Sequence, residues 1–160
     1  MNYVFDHHAL QYMLEQFPRG IASELWDMFA AGCEDGTIIS HKEAQKLLEQ
    51  EAVESNSLKW SSDHASLFKG TTASEAQLLG DMRGKRVFNF LETPRLLQRR
   101  IPEAIPFILC MAKKQDRYFV YRKNTNTDFM PKIKRVCTLY NIGSMEVEEC
   151  LIRMKEARTA

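Results

Sequence analysis

The sequence has no run of the roughly 18 apolar residues that a membrane-spanning helix needs, and its start does not show the basic-then-apolar order of a signal peptide. A membrane span is thereby excluded, and a cytoplasmic protein is the expectation. Its four cysteines, Cys33, Cys110, Cys137 and Cys150, never fall in a CxxC spacing. That argues against a zinc ribbon and a disulfide framework, and predicts buried, reduced thiols. No internal repeat or low-complexity segment interrupts the chain. At 160 residues and 44% apolar it is long enough for one substantial core and too short for two, so a single domain over 1–160 is expected.

Net charge is also nearly absent, at +1, but it is unevenly spread. Residues 1–82 hold 13 acidic side chains against 5 basic ones, whereas 83–135 hold 14 basic against 4 acidic. The basic segment either meets phosphates or an acidic partner, or neutralises the first half of the same fold.

Hydrophobic periodicity outlines the elements. Tyr3-Val4-Phe5 reads as a buried strand, followed by a helix over 9–16 and an amphipathic helix over about 22–31. Thr37-Ile38-Ile39 is a second short strand. Ser40-x-x-Glu43 has the spacing of a capping box and predicts a helix carrying Ala44, Leu47 and Leu48. A short helix is expected within 57–67, and Thr72-x-x-Glu75 is a second capping box for a helix that Gly84 ends. Thr93 and Pro94 fit the start of a basic helix. A nearly continuous apolar run from Ala104 to Lys114 predicts a buried helix, Tyr118–Tyr121 a strand, and Pro131–Tyr140 a helix closed by a left-handed Asn141. A strand near 142–145 and a last helix complete the chain. About four strands interleaved with helices imply an α/β three-layer fold with a mostly parallel sheet.

In such a fold a residue directly after the first strand sits at the carboxyl edge, where open parallel sheets hold their ligands. Asp6 occupies that position and reads either as a site acid or as the N-cap of the next helix. Glu43, one turn after the second strand, lies near the same edge or serves its capping box. His7, His8 and His41 flank these two acids, and imidazole combined with carboxylate favours Zn²⁺, Mn²⁺ or Fe²⁺ over Mg²⁺. Because neighbouring residues diverge on both helix and strand, at most one of His7 and His8 is expected to join Asp6.

On Tyr3-Val4-Phe5-Asp6, Ile38-Ile39-Ser40 with Glu43, Leu58 to Phe68 with Trp60, Ala104-Ile105-Pro106-Phe107-Ile108, Phe119-Val120-Tyr121, Lys132-Ile133 and Val136-Cys137, the chain resembles the PIN-domain family of VapC-type toxin ribonucleases over nearly its whole length. The resemblance implies a PIN-like three-layer fold in which several acids hold Mg²⁺ or Mn²⁺ and a metal-activated water attacks RNA. It maps Asp6 and Glu43 onto the first two acids as catalytic and metal-binding residues; His8 enters the metal set only through the imidazole–carboxylate reading above. Elsewhere the pattern departs. His8 stands where the family has a small hydroxyl or amide residue, Ile105 replaces the acid of an Ala-Asp-Pro-Phe-type motif, and Lys123 stands where a further acid is expected, with Asp128 farther along.

With these acids lost, no cofactor is expected unless the centre is active, in which case Mg²⁺ or Mn²⁺ would serve. An ammonium at Lys123 could take the charge-neutralising place of the ion. The implied partners are RNA or an antitoxin-like protein, met through Arg83, Lys85, Arg86, Arg95, Arg99, Arg100, Arg122 and Lys123, with a homodimer as a further possibility. The readings are a degraded centre that binds, an active endoribonuclease using Asp6 and Glu43, and an interaction module without RNA.

Overall fold

Tyr3-Val4-Phe5 is apolar on both faces and has to be covered on both. The computed structural model, which describes residues 1–92, 104–122 and 129–159, makes it the central strand of a sheet. The strands are β1 (Tyr3–Phe5), β2 (Ile38–His41), β3 (Phe68–Lys69), β4 (Tyr118–Tyr121) and β5 (Ser144–Glu146), in the spatial order β3-β2-β1-β4-β5. All pairings are parallel, with Tyr3 opposite both Ile38 and Tyr118, Ser40 opposite Phe68, and Phe119 opposite Ser144. The sheet has five strands where the sequence suggests about four. The additional one, β3, is two residues long, too short to display any periodicity.

Side chains alternate across this sheet and separate two cores. Val4, Ile39, Phe119 and Tyr121 face one way, toward helices α5 (Ala73–Gly84), α6 (Ile105–Lys114) and α7 (Met130–Leu139). Tyr3, Phe5, Ile38, Val120 and Met145 face the other way, toward α1 (His7–Glu15), α2 (Ser23–Asp35) and α8 (Val147–Thr159). This is a three-layer α/β/α fold. Helix α3 (Lys42–Glu51) contributes to both cores, Ala44 and Leu47 to the first and Leu48 to the second, and so straddles the edge of the layers. Helix α4 (Ser55–Asp63) and a 3₁₀ turn at Ala65–Leu67 lead from it to β3.

The ends of several elements follow local chemistry. Helix α2 closes on Gly36 at φ 84°, a left-handed conformation that glycine adopts without steric cost. Asn141 at φ 56° does the same after α7. Thr72 caps α5 by accepting the Glu75 N–H at 3.2 Å. The Ser40 capping box does not form. Strand β2 continues to His41 because β3 pairs with it, Ser40 Oγ donates instead to Phe5 O at 2.6 Å, and His41 becomes the N-cap of α3. At the amino edge, Arg117 donates to the carbonyls of Gly36 at 3.0 Å and Thr37 at 3.2 Å, tying the start of β4 to the start of β2. The four cysteines are free, and burial raises the Cys110 thiol to about 11 and Cys33 and Cys137 to about 12. Among the described residues no helix is long and apolar enough to cross a membrane.

Candidate functional site

Strand order reverses at β1, which is followed outward by β2 and β3 on one side and by β4 and β5 on the other. Crevices outside the carboxyl ends of strands at such a reversal are where open α/β sheets bind ligands. Asp6 leaves β1 at this place, its own N–H bonded to Val120 O of β4 at 3.2 Å. Its side chain is fully buried, and it is the N-cap of α1: Oδ1 accepts the Ala9 N–H at 2.7 Å. The second oxygen, Oδ2, is buried without a hydrogen-bond partner. The N-cap reading of Asp6 therefore holds through Oδ1, and the residue sits at the carboxyl edge of the sheet.

His7 and His8 open α1. Their rings do not diverge as neighbours on a regular helix would; they lie 3.9 Å apart between centroids, tilted by 38°. His7 is 1% exposed, and its Nε2 stands 3.2 Å from Oε2 of Glu51, near enough for an ion pair yet off the line of a hydrogen bond. His8 Nε2 is buried without a partner as well. One ligand atom each from His7, His8 and Glu51 lies within 4.8 Å of the others, and neither Asp6 nor Glu43 joins this group among the described residues. Burial, helped by the neighbouring His7, pushes the His8 pKa down against the pull of Asp6 and Glu51. Burial alone would raise Glu51, but His7 and His8 hold it below the usual carboxylate range.

Glu43 has a different setting. It lies on the first turn of α3, its N–H donates to His41 Nδ1 at 3.0 Å, and its carboxylate pairs with Lys46 at 3.0 Å. Nδ1 of His41 is an acceptor here, so Nε2 carries the proton and donates to Thr71 Oγ1 at 2.8 Å. Burial lowers the His41 pKa, with Glu43 and Glu75 opposing and Lys42 and Lys46 assisting. Ile105, where the resemblance would expect an acid, is 1% exposed in the first core.

The basic residues divide between two regions. Arg122 is half-buried at the end of β4, its guanidinium 5.0 Å from the Tyr12 ring centroid, and its charge acts on His8. Arg83, Lys85 and Arg86 are exposed at the end of α5, where Arg83 lies 5.5 Å from the Phe107 ring centroid and Lys85 pairs with Asp81 at 3.2 Å. Beside them runs a groove lined by Lys85, Val87, Phe90, Lys132, Arg135 and Leu139. Arg95, Arg99, Arg100, Lys123 and Asp128, together with the basic helix expected from Thr93 and Pro94, fall outside the described residues.

Glu51, Lys132 and Arg135 are the residues that sequence reasoning leaves out. The two cations lie three apart on α7 within the basic segment, a spacing that puts them on one helix face and could have marked them. Nothing local distinguishes Glu51, which ends its helix 44 positions from His7.

A family described as a domain of unknown function (DUF4411) matches residues 3–159, and the chain belongs to that family. No curated protein and no solved structure matches it.

Proposed function

Starting from a family without an assigned activity, we propose that this chain is a PIN-like protein of the toxin–antitoxin type, working in the cytoplasm, that binds single-stranded RNA and cleaves it weakly or not at all. The observation that supports binding is the groove beside the end of α5. Three cations, Lys85, Lys132 and Arg135, line it together with the half-buried Phe90. A basic channel with an aromatic platform is the arrangement that holds single strands, the cations meeting phosphates and the ring a base.

Weak cleavage follows from how the remaining acids are engaged. Metal-activated hydrolysis of a phosphodiester needs several carboxylate oxygens free to surround hard cations. One oxygen of Asp6 holds the first turn of α1, Glu43 pairs with Lys46, and position 105 carries an apolar core side chain.

Fluorescence anisotropy with a labelled single-stranded RNA tests the reading. With about three phosphates neutralised, the log–log slope of affinity against salt is expected near −2, at roughly 0.7 per phosphate. The double variant Lys132→Ala/Arg135→Ala should remove about 1.4 of that slope. Phe90→Ala should weaken binding at every salt concentration. Absent or salt-insensitive binding refutes the reading and favours an antitoxin-like protein as partner. RNA cleavage in Mg²⁺ or Mn²⁺ that Asp6→Asn abolishes would replace it with an active endoribonuclease.

A further inference from the structure

We propose that His7, His8 and Glu51 form a binding site for one divalent transition-metal ion of the zinc class, held at the junction of α1 and α3. The starting point is unsatisfied polarity. Buried side-chain nitrogens almost always have a partner, and an exception needs an explanation. Here three occur in two adjacent rings, both nitrogens of His7 and Nε2 of His8, facing a carboxylate. A bridging water could serve more than one of them, but an ion also accepts a lone pair from each ring and from the facing carboxylate, which a neutral water does not combine.

The geometry is close to what such an ion requires. Metal–nitrogen and metal–oxygen bonds of about 2.0 to 2.2 Å at tetrahedral angles put ligand atoms roughly 3.4 Å apart. His7 Nε2 and Glu51 Oε2 are already 3.2 Å apart, and all three ligand atoms lie within 4.8 Å of one another. Binding therefore needs the widest pair to close by at most about 1.4 Å, within reach of side-chain rotation. Three protein ligands leave the fourth tetrahedral position to a small exogenous molecule.

The supporting chain is already fixed. Asp6 caps the turn that carries both histidines, Gln11 Nε2 donates to Glu51 O at 2.9 Å, and Val53 N donates to Glu15 Oε1 at 2.9 Å. Glu51 is thus delivered to α1 by bonds that do not involve its carboxylate. Two imidazoles with one carboxylate select zinc, manganese or iron over magnesium. The nearby charges oppose one another: buried Asp6 favours a cation and Arg122 disfavours it. This site stands apart from the basic groove and does not depend on RNA binding.

The full chain, stripped with a chelator, is titrated with Zn²⁺ by calorimetry and with Co²⁺ by visible absorption. One ion per chain is expected, with a cobalt spectrum of nitrogen and oxygen ligands and no thiolate charge-transfer band. Glu51→Gln keeps the side-chain size at a partly exposed position, and His8→Ala removes a ring; each should weaken Zn²⁺ by more than about tenfold. Far-ultraviolet circular dichroism checks that both variants fold. Absence of binding at 100-fold excess metal overturns the proposal and leaves a His7–Glu51 ion pair in its place. Binding unaltered in both folded variants, or a thiolate band, also overturns it.

Discussion

Protonating His41 should loosen the start of α3. The ring is 3% exposed, and its Nδ1 accepts the N–H of Glu43, so a proton there destroys the side-chain cap of this helix. Burial holds the folded pKa below the ordinary histidine value near 6.5. Between those two values the unfolded chain binds a proton that the folded chain refuses. Stability is therefore complete above about pH 6.5 and falls as pH drops through it toward the folded value. The slope from one group cannot exceed about 1.4 kcal/mol per pH unit, and the lost cap contributes about 1 kcal/mol. Wild type should thus lose about 1 to 2 kcal/mol more than His41→Asn between pH 7.5 and 5, since asparagine caps equally well without titrating. Urea unfolding at a series of pH values measures the difference, and subtraction cancels the other histidines. Parallel profiles for the two proteins would refute the argument.

Two further changes test the packing. A Cβ on Gly143 would stand 2.6 Å from Cδ1 and Cε1 of the Tyr118 ring, so Gly143→Ala should cost about 1 to 3 kcal/mol in urea unfolding. Tyr118→Ala in the same chain should recover part of that loss, and strict additivity of the two would contradict the clash. Arg117→Met leaves the Gly36 and Thr37 carbonyls without their charged donor and should cost about 1.5 to 3 kcal/mol. A loss under about 0.5 kcal/mol would mean that water replaces the guanidinium.

Much of the fold was legible because its strands are apolar and bounded by clear breaks. β1, β4 and the buried helix α6 follow from composition and periodicity alone, and Thr72 caps α5 as its spacing implies. What escaped depended on partners distant in sequence. The cap of α3 moved from Ser40 to His41 because β3, two residues long and silent in the pattern, extends β2 by pairing with Ser40 and His41. At the candidate site, Asp6 and the two histidines could be marked from the end of a strand. Their convergence with Glu51 could not, since it arises from α3 lying across the layer edge against α1.

The central position of β1 bears on how the chain matures as it is made. Its first neighbour, β2, is available within the opening 41 residues, but its second, β4, begins at Tyr118. At about 5 to 20 residues per second, a ribosome takes roughly 6 to 22 s to add the intervening 112 residues, 6–117. Throughout that interval the free edge of Tyr3-Val4-Phe5 offers bare amides and carbonyls to any extended segment nearby. Nascent copies on one message would be open to mispairing there, and a chaperone that shields β1 until β4 is made should raise the yield of native protein.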